Sequence, residues 1–312
     1  MLRVHIVQND KAEFEIKNIF SAVYNSETGV PADDFTISFG YDQKVGENAD
    51  YLKIFSDDKL IFYGQIDEII NAENSSGVIT QITARNLAGQ LVDNEAEPIT
   101  YYNPCARLIY EKYLEPYGIK WYECDNIPAY GFFKIDKGMT QWQVFENFCK
   151  NKFGVQAVIS GDGTAYFEGL KNNKKILFAK GGDIEYNSIK EKIQRYKLIS
   201  DVYLKLKSFS NYDGVIQNKS DACKNIKRVR YVNALSEKST IETADKIIEQ
   251  SNIDSYGITL ECCGCYLDIL GADAKIEDEI LGIKDNLKIK KIRYSLSNDG
   301  EYTVVGLGKE SV

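Results

Sequence analysis

Hydrophobic and polar residues alternate through most of the first 70 positions, which is the pattern of strands with one buried face. Polar turns rich in Asn, Asp and Gly separate the alternating segments at intervals of about ten residues. This spacing predicts antiparallel strands in a small barrel or a sandwich. The segments are RVHIVQ, AEFEIKNIFSAVYNSE, DDFTISFGY and YLKIFSDDKLIFYGQIDEII.

Two stretches far apart in the chain share nearly the same layout. GQIDEIINAENSSGVITQITARNLAGQLVDN covers residues 64–94, and LKIKKIRYSLSNDGEYTVVGLG covers residues 287–308. Each predicts a hairpin: a strand with spaced Ile residues, a polar turn that closes on Gly77 or Gly300, and a return strand that carries Thr. The first hairpin leads into a short helical turn at 86–91.

The periodicity changes near residue 96, where Pro98 and Pro104 mark a boundary. PCARLIYEKYLEPYG and MTQWQVFENFCKNKFG have helical spacing, and Thr140 and Gly154 are suited to begin and end the second helix. VQAVISGDGTAYFEGL then predicts a hairpin with Gly-Asp-Gly at its tip. We therefore expect a compact α+β insert at 96–182.

Strand patterns return after residue 182. KLISDVYLKLKSFS alternates at Val202, Leu204 and Leu206, STIETADKIIEQSN predicts a third helix, and ITLECCGCYLDIL predicts a strand pair. The predicted domains are a first β domain at 1–95, the insert at 96–182, and a second β domain at 183–312 with a helix-containing excursion near 211–255.

Composition narrows the classes of function. The chain has 312 residues, 44% hydrophobic and 27% charged, as expected for a globular protein. It has no apolar run long enough for a transmembrane helix, and MLRVHIVQND does not have the pattern of a signal peptide. A net charge of −8 argues against a general nucleic-acid binder. Seven irregularly spaced Cys favour reduced thiols.

Candidate catalytic and metal-binding chemistry is sparse. The one His of the chain, His5, lies in an alternating strand, so we expect a solvent-facing side chain rather than part of a triad or a zinc site. Cys262, Cys263 and Cys265 form no pair of Cys-x₂₋₄-Cys motifs, and adjacent strand residues point to opposite faces. GDGTAYFEG does not have the Gly-Lys-Ser/Thr ending of a phosphate loop. We predict no catalytic, cofactor-binding or metal-binding residues.

Three further groups have both a functional and a structural interpretation. Paired acids such as Asp57-Asp58 and Asp67-Glu68 could serve a glycosidase, but turn and surface roles are favoured. KNIKRVR at 224–230 could contact a polyanion, but a solvated loop or an inter-subunit salt-bridge strip is favoured. A set of aromatic residues could line a carbohydrate groove, but core and interface roles are favoured. The set is Trp121, Trp142, Tyr101, Tyr102, Tyr110, Tyr113, Tyr117, Tyr122 and Tyr130.

The order of elements resembles the baseplate hub proteins of contractile phage tails, the late control protein D and tail hub family. The resemblance covers almost the whole chain and depends on short motifs. They are Gly64-Gln65-Ile66, Ile82-Thr83-Ala84-Arg85-Asn86, Leu91-Val92-Asp93, Leu270-Gly271-Ala272-Asp273, Ile292-Arg293-Tyr294-Ser295 and Gly300-Glu301-Tyr302-Thr303. The helix at 239–251 followed by ITLECCG also fits the family's order.

The resemblance implies an α+β, mostly β fold with two similar small β-barrel domains around the α+β insert, in which the barrels can exchange segments. It also implies a homotrimer that joins a six-fold tail tube to a three-fold spike. The implied partners are the tail tube, the central spike, and other baseplate and tape measure proteins, with no membrane, specific nucleic acid or cofactor.

The resemblance implies a non-enzymatic structural role, because we see no lysozyme or peptidase residues of the kind that some hubs carry. It further implies assembly in the bacterial cytoplasm, then a place in a virion or a released tail-like particle. The alternatives are a carbohydrate-binding module that uses the aromatic insert, and a cell-wall hydrolase that uses paired acids.

Overall fold

The structure is a computed structural model, and it describes residues 2–9, 11–75, 77–206, 211–233 and 237–309. Most of its regular elements are β-strands. They account for 47% of the structure and helices for 17%, so the predicted class, α+β and mostly β, is confirmed. Among the described residues, no helix combines the length and the hydropathy that crossing a membrane would need.

The chain forms two compact units, each assembled from segments that are distant in sequence. Unit 1 contains residues 1–174, 263–272 and 291–304, and unit 2 contains residues 175–262, 273–290 and 305–312. The sequence instead predicts three domains that follow one another along the chain, and that division stays a prediction.

The N-terminal part of unit 1 is an antiparallel sheet in the order β3-β4-β7-β6-β5-β1-β2. Polar and apolar residues alternate along these strands because one face covers the core and the other faces solvent. The strands are β1 (Leu2–Gln8), β2 (Glu13–Ile16), β3 (Ile19–Glu27), β4 (Asp34–Gly40), β5 (Ala49–Ser56), β6 (Lys59–Asn74) and β7 (Gly77–Asn86).

The rest of unit 1's first segment contains the first two predicted helices. Thr140 and Gln143 form a capping box at the start of the second predicted helix, and Gly154 ends it with a φ of 71°. The elements are α1 (Ala88–Asp93), β8 (Ile99–Tyr102), α2 (Ala106–Tyr113), β9 (Lys120–Trp121), β10 (Phe132–Ile135), α3 (Gln141–Phe153), β11 (Val158–Ile159) and β12 (Thr164–Tyr166).

Unit 2 contains further β-strands and a separate small sheet in the order β16-β15-β17. The third predicted helix packs against this small sheet. Its elements are β13 (Lys175–Phe178), β14 (Ser188–Ile193), β15 (Asp201–Leu204), β16 (Gly214–Gln217), β17 (Val229–Val232), α4 (Glu237–Asp254), β18 (Tyr256–Cys263) and β19 (Asp273–Asp278). The last strands, β20 (Ile283–Ser297) and β21 (Gly300–Gly308), contribute residues to both units.

The predicted strand pair in ITLECCGCYLDIL is wrong in its second half. The strand β18 ends at Cys263, and Gly264 follows it with a φ of 107°. The Thr303 hydroxyl donates to the Gly264 carbonyl at 2.7 Å and accepts from the Tyr266 amide at 3.1 Å. A side chain therefore takes the place of a neighbouring strand, and residues 264–272 form a connection without strand structure.

Two apolar clusters form the core of unit 1. One lies under the N-terminal sheet and includes Phe35, Phe62 and Tyr294, all fully buried. The other joins α1, α2 and α3 and includes Phe145 and Phe148. Since Tyr294 lies in the C-terminal hairpin, the first cluster unites both ends of the sequence.

The close approach of β6 to β7 makes Gly64 a sensitive position. A Cβ at Gly64 would lie 2.2 Å from the Arg85 carbonyl oxygen of the paired strand. We expect Gly64→Ala to lower the free energy of unfolding of unit 1 by about 1–3 kcal/mol, because backbone rather than a flexible side chain must move. Urea unfolding followed by tryptophan fluorescence measures this, because both Trp residues lie in unit 1.

The matched control is Gly46→Ala, where a new Cβ has no neighbour within 4 Å. This variant should unfold within about 0.5 kcal/mol of the wild type. Equal unfolding midpoints for the two variants would contradict the packing described for Gly64.

Candidate assembly site

The first of the two similar hairpins is formed by β6 and β7. The two strands pair from Gly64 and Asn86 to Asn74 and Gly77, and Gly77 has a φ of 126°. Within β7, Ile82 is fully buried, whereas Ile79 lies on the outer face. Side chains of one hairpin therefore serve both a core and an exposed surface.

Arg85 ties the base of this hairpin to the helix α1. Its Nε and Nη2 atoms donate to both carboxylate oxygens of Asp67 at 2.7 and 2.9 Å. Its Nη2 and Nη1 atoms also donate to Asp93 at 2.7 and 3.2 Å. Hydrogen bonds from Arg85 lower the pKa of Asp93. Because both contacts are bidentate, they fix the direction in which the chain leaves β7.

The second hairpin, β20 and β21, has a corresponding turn at Gly300 with a φ of 116°. Tyr294 is fully buried and donates its hydroxyl hydrogen to Glu301 at 3.0 Å. Burial raises the pKa of Tyr294, so the phenol stays neutral. The Thr303 side chain is also fully buried. Both expected hairpins are therefore present, each closed by a glycine with positive φ.

The two hairpins flank the strands β3 and β4 in unit 1. The segment from Lys291 to Leu296 pairs with β3, and β4 pairs with β7 of the first hairpin. Lys291 Nζ lies 2.5 Å from a carboxylate oxygen of Glu27, its register partner. The repeated element is thus used twice in one sheet, once on each side of β3 and β4.

The outer face of this sheet carries an apolar groove of about 460 Å³. Phe20 of β3 and Ile70 of β6 line it and are 46% and 42% exposed. Ile79 and Ala72, which face each other across β6 and β7, continue the groove. A solvent-facing sheet surface of this kind is typical of a protein contact.

The groove was not among the features predicted from the sequence, although pairs of successive apolar residues indicate it. In Ile19-Phe20, Ile69-Ile70 and Val78-Ile79, two apolar residues occur in succession within a strand. Because successive strand residues point to opposite faces, each pair places one apolar side chain on the outer face.

The tip of the hairpin β11–β12 contacts β6 and the end of β7. The Tyr63 amide donates to the Gly161 carbonyl at 2.8 Å, and Asn86 Nδ2 donates to the Ile159 carbonyl at 3.2 Å. A Cβ at Gly161 would lie 2.4 Å from the Ile61 carbonyl oxygen. Only glycine therefore fits this contact without a shift of the backbone.

A buried acid, Asp33, lies beside this contact. Its side chain accepts a hydrogen bond of 2.8 Å from the Tyr24 hydroxyl, and its carbonyl accepts from the Asn86 amide at 2.9 Å. Burial raises the pKa of Asp33 to about 7. With Gly161 and Lys59 it lines a cavity of about 290 Å³ in unit 1.

The structure places the aromatic candidates mainly in the core. Trp142, Tyr110 and Tyr113 are buried, and Trp121 packs on the ring of Phe167 at 5.1 Å. The core role favoured for these residues is therefore confirmed. The candidates left exposed include Tyr102 and Tyr130, and the Tyr102 ring lies 5.2 Å from that of Phe132.

The polar candidates occupy structural positions. Asp57 and Asp58 form the turn between β5 and β6, and both have positive φ. Asp162 lies in the turn between β11 and β12, as predicted for the Gly-rich segment. His5 is half-buried and contacts Glu13 at 2.9 Å, so it is less exposed than expected.

The cysteines of the late cluster do not converge. Cys262 is fully buried whereas Cys263 is exposed, which confirms that they point to opposite faces of β18. In the described part of the chain, no group of three or more His, Cys, Asp and Glu side chains could hold a metal ion. That the chain has no catalytic or cofactor residue stays a prediction.

Asp33→Asn tests the buried acid. In the folded protein Asp33 stays protonated up to a pH of about 7, whereas in the unfolded chain it ionises near the ordinary aspartate pKa of 3.8. The contribution of Asp33 to the stability of the wild type should therefore fall as the pH rises from about 4 to about 7, by up to about 4 kcal/mol. The Asn variant should not show this loss, because its amide does not titrate.

Urea unfolding followed by tryptophan fluorescence at several pH values measures the difference between the two proteins. The stability of Asp33→Asn relative to the wild type should increase with pH across this window. Parallel stability curves would mean that Asp33 is not held protonated in the folded state.

No protein-family model and no curated protein sequence matches this chain. Its fold is similar to that of a tail protein from Neisseria meningitidis MC58, at 18% identity and a TM-score of 0.79, over 99% of this chain and 97% of that one. It is also similar to the 43 kDa tail protein of prophage MuSo2 from Shewanella oneidensis, at 13% identity and a TM-score of 0.80, over 98% and 97% of the two chains.

A third similar structure is an E. coli component of the type VI secretion system, described as structurally similar to the T4 phage tail proteins gp27 and gp5. It shares 9% identity and a TM-score of 0.58, over 94% of this chain and 74% of that one. The predicted resemblance to tail proteins is thus confirmed at the level of the fold. The chain has a fold similar to that of phage tail proteins over 98–99% of its length.

Proposed function

We propose that the chain is a structural hub in the baseplate of a contractile tail or of a tail-like particle. The observation that carries the proposal is the pair of long hairpins around β3 and β4, within a fold similar to that of tail proteins over 97% of their length. In this role the chain supplies two β-barrel domains, joined by the insert at 96–182.

The proposed assembly is a homotrimer. Three chains with two similar β elements each present six comparable surfaces, so a three-fold ring can contact both a six-fold tube and a three-fold spike. The tail tube protein, the central spike, and other baseplate and tape measure proteins are the proposed partners. Neighbouring subunits would cover the open strand edges of each chain.

The apolar groove around Phe20 and Ile70 is the proposed contact between copies. It is a concave surface on an otherwise polar sheet face, and removing its apolar side chains from water lowers the free energy. The groove lies between the two hairpins, because Phe20 belongs to β3 and Ser297 at its rim belongs to β20. An interface here would therefore use both copies of the repeated element.

The proposed role is structural and not enzymatic, and its site is the virion or the released particle after assembly in the bacterial cytoplasm. The carbohydrate-binding alternative relied on Trp121 and Trp142, which pack in the core of unit 1. The hydrolase alternative relied on paired acids, of which Asp57 and Asp58 form a turn. The packing of the Trp side chains and the turn position of the acids therefore favour the hub over these two alternatives.

The mass of the assembled protein tests the trimer. In mass photometry the wild type should give a species of three times the 35.4 kDa chain. Phe20→Ser combined with Ile70→Ser should weaken this assembly about tenfold or more, because the groove loses its apolar anchors. Circular dichroism should remain that of the wild type, because both side chains lie on the outer face.

The matched control is Ile127→Ser, which changes an apolar side chain of unit 1 that is 60% exposed and lies away from the groove. This variant should assemble as the wild type does. A wild-type chain that stays monomeric even with tube and spike proteins present would contradict the hub, and an unchanged trimer in the double variant would exclude the groove as its interface.

A further inference from the structure

The small sheet of unit 2, β16-β15-β17, has one covered face and one exposed face. On the covered face Val202, Leu204 and Val232 pack with residues of α4, including Ala244 and Ile248. This packing fixes the sheet on a helix, so its other face is a rigid platform.

The exposed face carries three tyrosines in contact, which we call the tyrosine ridge: Tyr203, Tyr212 and Tyr231. Tyr203 and Tyr231 are register partners on β15 and β17, and their ring centroids lie 5.4 Å apart with planes at 21°. The edge of Tyr212 meets Tyr231 at 4.9 Å. Tyr231 is 60% exposed and Tyr212 is 42% exposed. Val215 of β16, the other register partner of Tyr203, is 49% exposed.

The chain around the ridge is basic although the protein as a whole is acidic. Of 38 basic and 46 acidic residues in the chain, nine basic and only three acidic residues lie between positions 195 and 233. One ion pair there joins Lys224 to Asp221 at 2.8 Å. Because cations outnumber acids threefold, the segment cannot neutralise its own charge. Lys205 lies two positions after a ridge tyrosine, and its amide donates to the Val232 carbonyl at 3.0 Å, so the alternation of the strand places its side chain on the face of the ridge.

Two anionic partners could match this combination: an acidic protein segment and a single-stranded nucleic acid. Bases stack on aromatic faces that are open to them. In the ridge, Tyr203 and Tyr231 turn their ring faces toward each other, and Tyr212 meets Tyr231 from the side. Stacked tyrosines are, in contrast, typical anchors of protein interfaces. The geometry therefore favours a protein.

The edge of the sheet adds a second means of attachment. The strand β17 pairs with β15 on one side, and on its other side no described strand pairs with it. An extended segment could add to this edge through main-chain hydrogen bonds, with alternate side chains directed onto the ridge.

We propose that the tyrosine ridge, with the basic segment 224–230, is a docking face for an acidic segment of another protein. Apolar side chains of the partner rest on Tyr203 and Tyr231, and its carboxylates meet Lys205 and Lys227. The face lies on residues that the trimer contact does not use, so this proposal is independent of the hub.

The test is fluorescence anisotropy with the full-length protein and a labelled random copolymer of glutamate and tyrosine. The wild type should bind it, and Tyr203→Ser combined with Tyr231→Ser should weaken binding about tenfold or more. Lys205→Ser combined with Lys227→Ser should weaken it as well, and added salt should reduce the difference between this variant and the wild type. Since these two side chains are not part of the core, the second variant tests the face even if the first unfolds.

The matched control is Tyr102→Ser combined with Tyr130→Ser, which removes tyrosines of unit 1 that are 70% and 90% exposed. This control should bind the copolymer as the wild type does. Two results would overturn the proposal. One is undiminished binding by both the tyrosine variant and the lysine variant. The other is tighter binding of a labelled thymidine oligonucleotide than of the copolymer.

Discussion

The pairing of the C-terminal hairpin with β3 is the constraint on which unit 1 depends. It joins segments that are 264 positions apart, as the contact between Lys291 and Glu27 shows. Closing so long a loop costs conformational entropy, and the favourable free energy of the contacts that form must exceed this cost. Tyr294, fully buried among the residues of the N-terminal sheet, provides much of that contact. The pairing also places Ser297 and Asn298 at the rim of the groove on the outer face of the sheet.

Local features of this fold could be predicted from the sequence because their causes are local. Thr140 and Gly154 begin and end α3 through hydrogen bonds and backbone angles within a few residues. Gly77 and Gly300 close their hairpins for the same kind of reason. The alternation of buried residues also belongs to single strands, so the mostly β class could be predicted.

Long-range features could not be predicted, because no local pattern specifies the partner of a strand. The contact of Gly161 with Tyr63 joins residues that are 98 positions apart in the sequence. The error at residues 264–270 has the same origin: the partner that satisfies this backbone is the Thr303 side chain. The groove could have been found in part, since Phe20 follows Ile19 within one strand. Its neighbours on other strands depend on the register.

Low sequence identity with a shared fold is consistent with this division between local and long-range causes. At 18% and 13% identity the tail proteins match this chain along nearly their full length. A fold depends on the strand pattern and the buried contacts more than on particular residues, since hydrophobic residues of similar size can replace one another in a core. Exposed surfaces are under no such constraint from folding. In the tyrosine ridge the cross-strand pair stabilises the sheet by about 0.2–1 kcal/mol, yet Tyr231 stays 60% exposed. Contact with a partner removes this remaining aromatic surface from water, which the sheet alone does not.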